Sequence, residues 1–492
     1  MLNAGASWSN ITGTLGTAGN GEWHMASFFH TGAIQFRPNN PNEIFLAARG
    51  AQATTDGGAS WHTVMDTHAD FTQLRFFDVT GPDFLWLCCD GGVVGTIVGG
   101  AGQNWNGNSS TGLSCTQLDY LDAERALRAI GIQDNGVNYS TNGGAVWKFS
   151  SGGDGLDCEI VDDRANEFWS AGSGSSGPAI RVNRQRGSSL TFSNNTAEGM
   201  DGLFYSKYAN WMYSIGDDNV IYGANCGASP LGWQADGTIP SQFHVMNTPT
   251  GSYVTGTTLY MNCTNDSGSA IPTVLVARLS GPWVTSSHDF GGTGFVKNIY
   301  ASTENVAEAW VTMSRSLTIE PLIYHTRDYG NTWDDVTGNL SGLKIVRCLV
   351  QKPFEPNVLW IGTDIGVFTT NDGGVTWSPD QTGLPILPVT DLRYVVDVNH
   401  TGNDVLVCAT YGRGVYQQSI PSFGIVYVDP NAPRTTEDGT YNFPYDTYNE
   451  GKNILPWGAT LGLYGNTYSV GHVTYSTPMT LRAYGGTARL QN

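Results

Sequence analysis

Thr370-Asn-Asp-Gly-Gly-Val-Thr-Trp377 decides the fold, because it recurs without gaps as Thr54-Thr-Asp-Gly-Gly-Ala-Ser-Trp61, Ser140-Thr-Asn-Gly-Gly-Ala-Val-Trp147 and Thr326-Arg-Asp-Tyr-Gly-Asn-Thr-Trp333. The shared pattern is Ser/Thr-x-Asp/Asn-x-Gly-x-x-Trp, with a hydroxyl residue before the Trp in three of the four copies. Asp56, Asn142, Asp328 and Asp372 can each accept hydrogen bonds from the N–H groups of their own turn, and the Gly two residues on permits positive φ. Trp61, Trp147, Trp333 and Trp377 then present a large apolar face for burial against the neighbouring repeat. These residues are therefore structural, and the Asp of each box is not a catalytic candidate.

Outward from the boxes a second theme repeats. Ile34-Gln-Phe-Arg-Pro-Asn-Asn-Pro-Asn-Glu-Ile-Phe-Leu46 matches Val346-Arg-Cys-Leu-Val-Gln-Lys-Pro-Phe-Glu-Pro-Asn-Val-Leu-Trp360, each a strand, a Pro/Asn turn and another strand. Degenerate copies end at Trp105, Phe192, Trp233 and Trp283, so aromatic positions from Trp8 to Trp377 fall 41 to 53 residues apart. That period fits four-stranded blades. The sequence predicts an all-β chain in which residues 1–420 form a single large β-propeller of about nine blades; the degenerate copies leave eight or ten open, and seven requires merging units. Asn3 to Trp8 is the tail of a box without its preceding strands, and the last repeat lacks a box. The strand around Trp8 to Thr12 is expected to complete the last blade and close the ring.

The box resembles the Asp-box, or BNR, repeat of sialidases, sortilin-type receptors, xyloglucanases and the photosystem II assembly propeller. Residues 421–492 change character: Ile425-Val-Tyr-Val-Asp-Pro430, Asn442-Phe-Pro-Tyr445 and Pro478-Met-Thr-Leu-Arg-Ala-Tyr484 resemble the opening coil of right-handed parallel β-helix proteins. A few coils cannot close a core alone, so this segment is expected to pack on the propeller or to mediate self-association.

Composition narrows the partners. With 24 Lys+Arg against 43 Asp+Glu the formal charge is −19, which disfavours nucleic acid and anionic membrane surfaces. No apolar stretch is long enough for a membrane span, and Met1 to Asn20 lacks the character of a signal peptide. Either the chain is cytoplasmic or its targeting segment is not in this sequence; the family resemblance implies an extracellular or cell-surface setting. The eight cysteines show no CxxC pair, so they read as small buried side chains with one or two disulfides, and neither a metal nor a cofactor is expected.

Resemblance places ligands on the propeller face opposite the boxes, where loops join second to third strands around the central channel. Candidate residues there are Arg49, Asp90, Asp134, Asp217, Asp218, Asp364, Tyr411 and Arg413. Asp90, Asp134, Asp217, Asp218 and Asp364 are the carboxylates from which an acid/base pair would be drawn, and Arg49, Asp134, Asp364, Tyr411 and Arg413 the ligand-binding set. The competing structural reading is that each Asp caps its own turn. The Arg-Ile-Pro signature of sialidases is absent, and Phe36-Arg37-Pro38 is only an echo of it. Three functions remain: a binding module for glycan or protein ligands, a glycoside hydrolase with paired Asp residues, and a structural subunit of an extracellular assembly.

Overall fold

The computed structural model describes residues 33–47, 50–65, 71–77, 83–89, 91–97, 116–162, 164–173, 180–192, 201–206, 210–216, 220–228, 232–238, 243–245, 252–255, 258–265, 273–278, 284–286, 288, 290, 294–317, 319–397, 402–432 and 436–492. It divides into two compact units, Met1–Cys115 and Thr116–Asn492. In the first, a four-stranded antiparallel sheet over 33–65 and a three-stranded one over 71–97 pack through Phe45, Ala53, Phe71, Leu74, Leu85 and Leu87. Arg37 pairs there with Glu43 and Asp83, each at 2.8 Å, which occupies the guanidinium of the sialidase-like echo.

In the second unit, seven antiparallel sheets follow one another as blades 1 to 7, over residues 118–151, 155–192, 201–238, 243–285, 294–335, 346–379 and 389–421. Their inner strands are Leu118–Glu124, Gly155–Asp162, Asp201–Ser206, Ser252–Thr255, Gly294–Ala301, Val346–Gln351 and Val389–Val395. Each lies against the next, and the seventh lies against the first. Closure is chemically specific: Leu121 N–H donates to Asp391 Oδ2 at 3.1 Å, and Thr390 Oγ1 donates to the Leu118 carbonyl at 2.7 Å. Among the described residues the nine repeats are thus present as nine sheets, but the ring closes over seven, and the two N-terminal sheets belong to the other unit. Repeat counting registers how many blades a sequence encodes; the edge contacts decide which of them share a ring. The strand expected at Trp8 to Thr12 lies outside the described residues.

All four boxes build one hydrogen-bond pattern. In the last, Thr370 Oγ1 donates to Asp372 Oδ1 at 2.7 Å and accepts from Gly374 N–H at 3.1 Å, while Asp372 Oδ1 accepts from Thr376 N–H at 2.9 Å. Asn142 accepts from Ser140 Oγ and Val146 N–H in the same way, both at 2.9 Å. Two consecutive residues are left-handed, Gly373 and Gly374 at φ 73° and 98°, so Tyr329 at φ 63° adopts a conformation the other boxes assign to Gly.

The box Trp wedges against the preceding blade. Trp333 donates to Ser286 Oγ at 2.9 Å and lies 5.3 Å from the Phe290 ring. Trp377, 3% exposed, donates to the Val336 carbonyl at 3.2 Å, and its backbone is held by Asn339. Trp233 of a degenerate repeat meets Trp169 edge-on at 5.7 Å. Trp147 packs on the apolar cluster that blades 1 and 7 build together at the closing seam, from Leu118, Leu121, Val395 and Val407 among others. Cys158, Cys348 and Cys408 are buried free thiols, and burial pushes Cys408 up to about 12.

After blade 7 the pairing becomes parallel. Ile425–Val428, Thr460–Tyr464 and Thr480–Tyr484 align side by side, as do Thr467–Ser469 and Arg489–Gln491 on a second face. A helix, Tyr448–Ile454, starts at a capping box of Thr447 and Glu450. This coil sits on the box end of the ring. Asn442 Nδ2 donates to Glu124 of blade 1 at 2.6 Å, and Asp438 pairs with Arg125 of blade 1 and, at 2.9 Å, with Arg164 of blade 2. Tyr441 donates to the Thr303 carbonyl of blade 5 at 3.0 Å, and Phe354 of blade 6 meets Tyr427 and Tyr484 at 5.5 and 6.1 Å. The coil therefore covers the channel at that end, opposite the funnel end.

Candidate functional site at the funnel end

Inner strands carry a repeated bulge near their funnel ends. Register shifts occur between Leu118 and Tyr120, Gly155 and Asp157, Asp201 and Leu203, Val296 and Asn298, Val346 and Cys348, and Val389 and Asp391. The skipped residues are Asp119, Leu156, Gly202, Lys297, Arg347 and Thr390. A bulge leaves one residue out of the ladder and re-aims its side chain. Three of the six are charged, and they act on one another. Burial raises the Asp119 carboxyl, opposed by the charges of Lys297 and Arg347, while Asp154 pushes the same way as burial. Burial lowers the Lys297 ammonium, Arg347 lowers it further, and Asp119 and Asp364 oppose both. Asp119, Lys297 and Arg347 come from blades 1, 5 and 6. Blades 1 and 5 are not ring neighbours, so their side chains share a field across the channel.

The loops above this mouth hold the described sequence candidates. Asp364 is 41% exposed and accepts from Arg347 Nε at 2.7 Å, so its carboxylate faces the channel cluster. Its turn is held instead by Thr363, whose Oγ1 donates to the Gly366 carbonyl at 2.9 Å and accepts from Ile365 N–H at 3.2 Å. Asp134 is half-buried at φ 59°, and its N–H donates to Asp154 Oδ1 at 3.0 Å. Asp134 and Asp364 align in sequence but not in structure: Thr363 pairs with Gly366 around two residues, whereas Ile132 pairs with Gly136 around three. Tyr411 bridges to Gln117, which donates to Gln133, and Arg413 is exposed on the same turn. Arg49, Asp90, Asp217 and Asp218 lie outside the described residues.

Asp119, Lys297 and Arg347 are not singled out by sequence reasoning. A charged residue in an inner strand reads as one more alternating position until the bulge is known. The detectable signal is a charge in the same short strand of three repeats, in Leu118-Asp-Tyr120, Val296-Lys-Asn298 and Val346-Arg-Cys348.

No family model and no curated protein matches the chain. Among solved structures, the GH74 enzyme of Niastella koreensis aligns at 13% identity and TM-score 0.49 over 84% of this chain. This chain spans only 62% of that enzyme's length. YCF48 from Cyanidioschyzon merolae aligns at 12% identity and TM-score 0.45, covering 63% of this chain and 96% of its own. PorZ, a surface component of the type-IX secretion system of Porphyromonas gingivalis, aligns at 14% identity and TM-score 0.37, covering 77% of this chain and 56% of its own.

Proposed function

We propose that this chain is an Asp-box propeller that binds a protein segment at the funnel-end mouth of its central channel, in a secreted or surface-exposed setting. The observation that carries the reading is the convergence of Asp119, Lys297 and Arg347, joined by Asp364, on one mouth of a channel whose other end is covered. Charges of both signs within reach of each other suit a peptide, whose side chains and termini carry both, better than a neutral glycan. Tyr411 and Arg413 supply an aromatic face and a further cation at the rim. The test is binding of the full chain to peptide and polysaccharide arrays, repeated with Lys297→Met and Arg347→Met. Peptide binding lost in both variants, with the fold retained, supports the reading; glycan-only binding that both variants keep overturns it.

A glycoside hydrolase is the second reading, favoured by Asp119. Burial raises its carboxyl toward the protonated form, while Asp364 is paired with the Arg347 cation, so the two carboxyls sit in the unlike environments that an acid and a base require. Release of reducing ends from any arrayed polysaccharide, lost in Asp119→Asn, distinguishes it. A structural role with self-association draws on a third feature: Thr480–Tyr484 pairs on one side only, with Thr460–Tyr464, which leaves an edge for another strand. Sedimentation velocity of the full chain reads that directly.

A further inference from the structure

A cavity of about 210 Å³ lies at the other end of the channel, between the ends of the inner strands and the coil that covers them. Gln351, the last residue of the blade 6 inner strand, lines it and is 2% exposed. Its Oε1 accepts from Ser302 Oγ at 3.1 Å, while its Nε2 has no hydrogen-bond partner. A buried amide is ordinarily paired, because water can no longer compensate it, so this donor is an unmet demand in the wall of the cavity.

The walls limit what that is. Asp122, Glu124 and Glu159 line the cavity, and its one cation among the described residues, Arg393, is already paired with Asp122 and Asp391, which disfavours an anion. Among the described residues the only group of three acids close enough to share a metal ion is Glu437, Asp446 and Glu450, elsewhere on the coil, so a cation has no ready ligand set here. An apolar guest would leave Gln351 unpaired. What remains is a neutral molecule that accepts from an amide, donates to carboxylates, and lays C–H faces on the rings of Tyr300 and Tyr427. At ~30 Å³ per water the space equals about seven water molecules, enough for a small polyol or a single sugar ring. We infer that this covered end of the channel is a second binding site, separate from the funnel mouth, for a small neutral polyol held by Gln351.

The experiment titrates the full chain with glycerol, xylose and glucose, read by saturation-transfer NMR. Saturable binding of at least one probe is expected, weakened about tenfold by Gln351→Met, the equivalent of one hydrogen bond, and unchanged by Lys297→Met at the funnel mouth. No saturable binding overturns the proposal, as does binding lost in Lys297→Met and kept in Gln351→Met. Should Gln351→Met fail to fold, soaking crystals of the unaltered chain in the probe that binds best decides the matter. Density for the probe beside Gln351 supports the site, and water alone there overturns it.

Discussion

Asp391 Oδ2 accepts the backbone N–H of Leu121 at 3.1 Å, joining blades 7 and 1 across 270 residues of sequence. The same carboxylate accepts from Leu392 N–H at 2.8 Å and from Arg393 Nη1 at 2.5 Å, and Arg393 also donates to Asp122 of blade 1 at 3.1 Å. Asp157 repeats the device two seams further on, accepting from Leu203 N–H at 2.9 Å between blades 2 and 3.

Asp391→Ala should therefore destabilise the ring by about 1–3 kcal/mol, because it leaves the backbone N–H groups of Leu121 and Leu392 without their acceptor, while Arg393 keeps Asp122. Denaturant unfolding measures it. A loss below about 1 kcal/mol would mean that the seam between blades 7 and 1 contributes little to the fold.

The box aromatics give a graded test. Trp377 is 3% exposed within a continuous apolar cluster, so Trp377→Ala should cost about 3–5 kcal/mol through the cavity it opens. Trp147 is only half-buried at the closing seam, and Trp147→Ala should cost less. Equal losses in urea unfolding would contradict the wedge geometry.

Much of this fold is legible in the amino-acid sequence. The four boxes announce their turns because Asp, Gly and Trp each answer a local demand, and the same hydrogen bonds recur in all four. The C-terminal segment differs from the antiparallel blades in pairing 425–428 with 460–464 in parallel. Ring closure is not legible there, because Trp147 and Asp391 meet partners that only the tertiary fold supplies. The funnel site is half-legible: Asp364 lies where its loop motif puts it, but Asp119, Lys297 and Arg347 owe their direction to bulges that no spacing rule reveals. Asp134 shows the opposite failure, since equal spacing to its Gly conceals a longer hairpin.

Stability should fall as pH rises from about 5 to 8. Burial between blade 5 and the coil pushes Glu304 up to about 8 from 4.5, where its Oε1 accepts from Phe354 N–H at 2.8 Å. Across that window the folded chain holds a proton that the unfolded chain has released, so raising the pH favours unfolding. Asp157 and Glu159 are raised by burial in the same sense. Glu304→Gln keeps the acceptor and removes the titration, so its melting temperature should vary less between pH 5 and 8 than that of the unaltered chain. An identical pH profile in both would show that Glu304 is ionised in the fold.

The central claim is that seven blades within residues 116–492 make a closed ring without the two N-terminal sheets. Expressing 116–492 alone and following its thermal unfolding by near-ultraviolet circular dichroism tests it most directly. The fragment should fold with a cooperative transition within about 3 °C of the corresponding transition in the full chain. A fragment that lacks fixed aromatic signals, or melts without cooperativity, would show that residues 1–115 are needed to complete the ring, and the closure through Asp391 and Leu121 would be wrong.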